Sequence, residues 1–201
     1  MNNFEASFLG QVEYQKAVLI QENLFQIAKR KNLNAIIGVE HPAVMTFGQR
    51  FKFVDENPLG LPQVQSSRGG LVTIHSEGQL VIYPVLDLRE QNWGVKQYVC
   101  KLLKTTQKLL AELRIESQLD DENIGLYTKQ GKVAFCGIQI KNGISLHGIS
   151  LNVRNDLSLF NAISSCGIQG AALDRLQNHD VNLTLEELFN AWVRIFKSEL
   201  N

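Results

Sequence analysis

The sequence predicts an α+β fold: a mixed, mostly antiparallel sheet with flanking helices. Two observations carry this. Short apolar runs are joined by the turn signals Gln130-Gly131 and Asn142-Gly143, and Asn-Gly is the strongest two-residue hairpin cue. Three segments repeat apolar residues every three or four positions, yet strand–helix–strand alternations are few.

The elements follow in chain order. Phe8–Tyr14 (FLGQVEY) reads as an opening strand. Tyr14–Lys31 reads as a helix, because Tyr14, Ala17, Val18, Leu24, Ile27 and Ala28 recur on one face. Ala35–Val39 (AIIGV) is a short apolar strand, punctuated by Pro42. Asn57-Pro58, Gly60 and Pro62 mark Phe51–Ser67 as an irregular surface loop. Two strands, Leu71–His75 and Gln79–Leu86, flank a tight link. Gly94–Leu113 is a second helix with a wide stripe of leucines, Tyr98 and valines. Short strands return at Ile115–Leu119, Ile124–Thr128, Lys132–Ile140 and Ile144–Val153. A last helix begins near Thr184, where Thr184 and Glu187 match a capping box ahead of Leu188, Trp192, Ile195 and Phe196.

The 201 residues, without repeats or low-complexity linkers, suit one domain spanning 1–201. Twenty Lys plus Arg balance twenty Asp plus Glu, for a formal net charge of zero. That balance argues against a nucleic-acid binder working by phosphate neutralisation. No apolar run is long enough to span a bilayer, and the N-terminus carries no signal-peptide pattern. Cys100, Cys136 and Cys166 are widely spaced and form no CxxC pair. Free thiols in a reducing cytoplasm follow from that.

Four glycine-bearing segments are candidates for chemistry. They are His41–Arg50, Arg68–Gln79, Gly131–Ile138 with His147–Asn152, and Ser164–Ile168. Arg68-Gly69-Gly70 lacks the spacing of a dinucleotide fingerprint, and no phosphate loop is present. It reads as a plain turn or as a place where backbone approaches a ligand. His41, His75 and His147 lie at strand ends. Without HExxH or a short ligand pair they read as structural histidines rather than a metal site, His41 above all. His179, in QNHDVN, reads as solvated. Lys132 opens an apolar strand and reads either as a surface lysine or as one reaching into a cleft, where burial makes a usable base. Cys100 and Cys136 suit packing inside a helix and a strand. Cys166, flanked by serines and glycine, is the thiol placed for reactivity.

RGGLVTIHSEGQLVIYPVLDL (68–88), GKVAFCGIQI (131–140), SLHGISLNV (145–153) and CGI (166–168), in this order, resemble the lipoate-biosynthesis octanoyltransferases. HPAVMTFGQR (41–50) and LGQVEYQKA (9–17) fit as well, so the likeness runs from about Leu9 to Gly167. The resemblance implies a biotin/lipoate protein ligase-like fold and no cofactor. The implied reaction moves an octanoyl group from acyl carrier protein to a lysine of a lipoyl domain of 2-oxoacid dehydrogenases or of the glycine cleavage protein. It assigns a catalytic pair, Cys166 and Lys132. It places substrate contacts at Arg68, Gly69, Gly70, His75, Gly78 and Gln79, and at His147 with Gly148. A monomer is expected, with neither nucleic acid nor membrane as partner. Rival readings are an amidotransferase moving acyl groups between lipoyl domains, an ATP-dependent ligase, and a non-catalytic acyl- or carrier-binding module.

The sequence departs from the family pattern. His75-Ser76-Glu77-Gly78-Gln79 stands where His-Gly-Pro-Gly-Gln is usual, Ser165 precedes the cysteine in place of proline, and Ala43 follows His41-Pro42 where a second proline is usual. Glu77 is expected either to pair with Lys132 or to repel an acidic carrier. Because the implied partners are acidic and the chain is neutral overall, a local basic patch is expected, with Arg50, Lys52 and Arg68 as candidates.

Overall fold

The computed structural model describes residues 4–31, 34–51, 59–120, 123–163 and 172–199. Cys166 and Lys52 lie outside the described residues. In chain order the elements are β1 (Phe4–Gln11), α1 (Tyr14–Lys31), β2 (Asn34–Glu40), β3 (Val44–Phe47), β4 (Gln63–Gln65), β5 (Val72–His75) and β6 (Gln79–Val85). There follow α2 (Val95–Glu112), β7 (Gln118–Asp120), β8 (Gly125–Tyr127), β9 (Lys132–Lys141), β10 (Ile144–Asn152) and α3 (Leu185–Ser198).

Seven strands form the main sheet in the order β1-β2-β6-β10-β9-β8-β7, and β4-β3-β5 form a second. β1 with β2, and β3 with β4, run parallel; the remaining pairs are antiparallel. The predicted mixed, mostly antiparallel sheet is what the chain forms. Strand alternation then sorts the core. From β6, Leu80 and Ile82 join Tyr98, Leu102 and Leu110 of α2 and Trp192 and Phe196 of α3. Val81 and Tyr83 face the other way, with Ala17 of α1. A further cluster of Met45, Phe47, Val72 and Ile74 with Phe135 and Phe160 joins the small sheet to the main one.

The capping box forms as predicted: Thr184 Oγ1 accepts from the Glu187 amide at 3.2 Å, and Glu187 accepts from the Thr184 amide at 2.8 Å. Asn142 (φ 52) and Gly143 (φ 81) both take positive φ between β9 and β10, as a type I′ turn demands.

Other expectations are corrected. The opening strand starts at Phe4 rather than Phe8 and ends at Gln11, its length set by parallel pairing with β2. The predicted loop Phe51–Ser67 contains β4, because β3 offers it a free edge. β3 itself lies inside a segment read only for its chemistry. Ile115 belongs not to a strand but to the end of α2, where its amide donates to Leu110 O at 2.8 Å. The link after His75 joins two different sheets. Gly78 (φ 87) makes that crossing: a Cβ there would stand 2.6 Å from the Asn155 amide nitrogen. Short 3-10 turns at Leu157–Ala162 and Leu176–His179 were not foreseen.

Candidate active site

Lys132 occupies its place because of a β-bulge. Leu126 pairs with Ala134, but Tyr127, one residue on, pairs with Lys132, two residues back. Val133 is therefore the extra residue. Strict alternation would put Lys132 on the face of Ala134 and Cys136, which pack against the helix-side core. The bulge turns it to the face of Phe135 instead. The side chain is 5% exposed. Its Nζ donates to Asn123 O at 3.1 Å and lies 5.3 and 4.9 Å from the ring centroids of Tyr127 and Phe135. Both rings present a negative face to the ammonium. The surface-lysine alternative is thereby excluded.

Gly125 leaves room for this packing. A Cβ there would stand 2.4 Å from Lys132 Cε and 2.6 Å from Ala134 O. Gly125→Ala is expected to displace the lysine and cut turnover about 10- to 100-fold, with KM little changed, because small misplacements of a reacting group carry such costs. Steady-state kinetics beside a melting curve check this.

Lys132 lines one pocket together with Arg68, Gly69, Gly70, His75, His147 and Gly148. Seven of the ten sequence-predicted site residues thus meet. Val72, Val81, Phe135 and Ile149 supply apolar wall, and Tyr14 and Tyr83, which sequence reasoning missed, add two buried phenols. Cys136 also lies at this pocket; burial pushes its thiol up to about 12, with Lys132 as a smaller opposing influence, which makes it a poor thiolate. Gln79 and Gly78 stand behind the pocket wall rather than on it. Cys166 is the predicted site residue that lies outside the described residues.

Arg68 is a clamp. Its guanidinium donates to Thr46 Oγ1 (3.0 and 3.2 Å), Thr46 O (2.7 Å), Gly69 O (3.0 Å) and Leu71 O (2.9 Å). These bonds fasten the glycine turn to β3. The Gly69 amide donates to Ile138 O at 2.8 Å, and Gly70 takes φ 89. A Cβ on Gly48 would stand 2.4 Å from Gly70 O, so the turn approaches β3 closely. Arg68 is only 8% exposed, so it cannot belong to a surface basic patch; Arg50 is exposed. Glu77 does not reach Lys132: it is exposed and accepts from Gln11 Nε2 at 3.3 Å.

The histidines have fixed protonation. His41 Nδ1 donates to Val12 O at 2.6 Å, so its Nε2 accepts from the Tyr83 hydroxyl at 2.8 Å. Gln79 Nε2 donates to Asn152 Oδ1 at 2.9 Å, which leaves Gln79 Oε1 to accept from His75 Nδ1 at 2.6 Å. His75 stacks on Tyr14 at 5.9 Å. His147 has φ 56 inside β10, and this turns its ring toward Tyr83 (centroids 6.3 Å apart) and Ser67, whose Oγ lies 3.0 Å from Nε2. Its amide donates to Gln21 Oε1 at 2.7 Å. His179 is not solvated but sits with Nε2 2.6 Å from Asp174 Oδ2. Among the described residues, no group of three or more His, Cys, Asp or Glu is arranged to hold a metal.

Burial lowers His41 and His147 to about 4 and His75 to about 3, the last with repulsion from His41 as a second cause. Unfolded imidazoles titrate near 6.5. Between those values the unfolded chain binds more protons. Stability is therefore complete above about pH 6.5 and falls as pH drops toward 4, by up to ~4 kcal/mol per pH unit if all three contribute fully. Denaturant midpoints at about pH 7 and about pH 4.5 test this; a flat profile contradicts neutral burial.

Residues 13–197 match the family described as lipoyl protein ligase A/B catalytic domain. An octanoyltransferase of Dechloromonas aromatica (strain RCB) is 38% identical over 182 residues, 89% of this chain and 88% of that protein. The crystal structure of lipoate-protein ligase A bound with ATP superposes with a TM-score of 0.79 at 16% identity, over 98% of this chain and 85% of its own. The bipartite lipoate protein ligase of Thermoplasma acidophilum, described with its E2 lipoyl domain, gives a TM-score of 0.75 at 14% identity, over 99% and 83%. At these identities the two structures speak for the fold alone.

Proposed function

The chain belongs to the lipoyl protein ligase A/B catalytic-domain family and is an acyltransferase that moves octanoyl groups in protein lipoylation, and from this premise we propose its donor, acceptor and catalytic pair. Octanoyl-acyl carrier protein donates, and a lysine of a lipoyl domain accepts. Cys166 carries the acyl group between them, and Lys132 moves the protons, within a single domain that acts as a monomer.

The Cys166 thiolate attacks the carrier thioester carbonyl, and the tetrahedral intermediate expels the carrier thiolate, which takes a proton from the Lys132 ammonium. The amine of the lipoyl-domain lysine then attacks acyl-Cys166. Neutral Lys132 accepts the amine's proton, and the Cys166 thiolate leaves. The products are an amide and a free thiol. Exchange between thioesters is nearly neutral and amide formation is downhill, so the cycle runs without ATP. The ammonium beside the thiolate favours its ionised form.

The observation that supports this best is the setting of Lys132. It is a buried lysine in an apolar-walled pocket, against the ring of Phe135. Ile163 and Leu173, described residues on either side of the 164–171 stretch, pack in the same cluster as Phe135. Cys166 is three residues from Ile163, so chain connectivity keeps their Cα atoms within about 11 Å. The test is incubation with octanoyl-acyl carrier protein and a lipoyl domain, with and without ATP, read by mass spectrometry of the domain. Octanoylation without ATP is expected. A strict ATP requirement would favour a ligase, and transfer from an octanoylated domain but not from the carrier would favour an amidotransferase.

A further inference from the structure

Asp174 lies outside every segment that carried the sequence argument, yet its polar groups reach into both walls of the pocket. It is fully buried. Its amide donates to Lys132 O at 3.0 Å, beside the bond from the Lys132 amide to Ala172 O at 2.8 Å. Its carbonyl accepts from Asn152 Nδ2 at 3.0 Å. Asn152 Oδ1 in turn accepts from Gln79, whose Oε1 fixes the tautomer of His75. Its carboxylate accepts from the Thr128 hydroxyl, Asn178 Nδ2 (2.9 Å) and the Arg175 amide (2.8 Å), and pairs with His179 Nε2. Thr128 opens the turn that ends at Lys132, its amide donating to Gly131 O at 2.9 Å. A Cβ on Gly131 would stand 2.3 Å from Ala172 O, so turn and returning chain are in close contact.

A buried carboxylate is costly unless it is well paired. Burial pushes the Asp174 carboxyl up, but hydrogen bonds from His179, Thr128, Asn178 and the Arg175 amide outweigh that and hold it below its ordinary value. It is a charged anchor inside the fold, and what it anchors is the backbone on either side of the bulge that aims Lys132.

We propose that Asp174 is a positioning residue for octanoyl transfer, with Thr128 and His179 as its partners. Its amide, carbonyl and carboxylate join the Lys132 turn and the Asn152–Gln79–His75 chain at one point, so the two polar walls of the pocket hold their relative positions. The inference rests on the reading of Lys132 given above. Asp174→Asn keeps the shape and removes the charge that pairs with His179. Thr128→Val keeps the shape and removes the hydroxyl, while Thr128→Ser restores it.

The experiment is steady-state octanoyl transfer by the full chain, from octanoyl-acyl carrier protein to a lipoyl domain, alongside melting curves. For Asp174→Asn the expected result is a kcat lowered about 10- to 100-fold with KM for the carrier within about twofold, the scale of a displaced catalytic group. Thr128→Val should move the same way, and Thr128→Ser should recover most of the loss. Lowered melting temperatures with unchanged kcat in Asp174→Asn and Thr128→Val would make the cluster merely structural and overturn the inference. Should Asp174→Asn fail to fold, the Thr128 pair decides in the same terms. If the unaltered protein transfers nothing, the functional reading falls and the inference with it; if it transfers and the variants match it, only the inference falls.

Discussion

Lys132→Ala will slow single-turnover octanoyl transfer by about two to four orders of magnitude, the range typical for loss of a positioned acid–base group. The protein should still fold. What it loses structurally is one bond to Asn123 O and the attraction of an ammonium to the rings of Tyr127 and Phe135. Cation–π contacts of that kind are worth about 0.5–2 kcal/mol each. Lys132→Met separates chemistry from packing, since it keeps most of the volume and removes the charge. An equal rate loss in both variants, with melting temperatures close to that of the unaltered protein, assigns the effect to the amine. Unchanged single-turnover rates in both would remove Lys132 from the mechanism.

Cys166→Ala will lower turnover further, by about four orders of magnitude or more, as removal of a covalent nucleophile does in other acyl-transfer enzymes. Without the thiol, the incoming amine must attack the carrier thioester directly. That forfeits both the intermediate and the division of one step into two easier ones. Cys166→Ser should fare little better, because a hydroxyl is far less ionised than a thiol. Cys100 and Cys136 provide the control. Cys136 is near the pocket but, with its thiol raised to about 12, is a poor nucleophile, so Cys136→Ala should retain most activity.

Much of the fold was legible because local chemistry and global structure agree. The Thr184–Glu187 box and the Asn142-Gly143 turn each require a conformation that few other residue pairs supply, and both form. Helix periodicity located α1, α2 and α3 to within a residue or two. The site was less legible, and the reasons lie in particular residues. A period of two would bury Lys132 with Ala134 and Cys136, and no residue type announces a bulge at Val133. His147 is turned toward the pocket by a positive φ that sequence does not signal in a histidine. Arg68 suggested a surface charge but is held by backbone carbonyls and Thr46, contacts that exist only after β3 and the glycine turn meet. Asp174 and His179 looked like part of a solvated stretch, because a 3-10 turn bringing residues five apart together has too short a period to detect.

Intact-mass spectrometry of the protein mixed with octanoyl-acyl carrier protein alone tests the covalent mechanism most directly. The account predicts one octanoyl adduct, mapped by peptide fragmentation to Cys166. It should persist in Cys100→Ala and Cys136→Ala and be absent in Cys166→Ala. An adduct of the same yield in Cys166→Ala, or one mapped to Cys136, would contradict it.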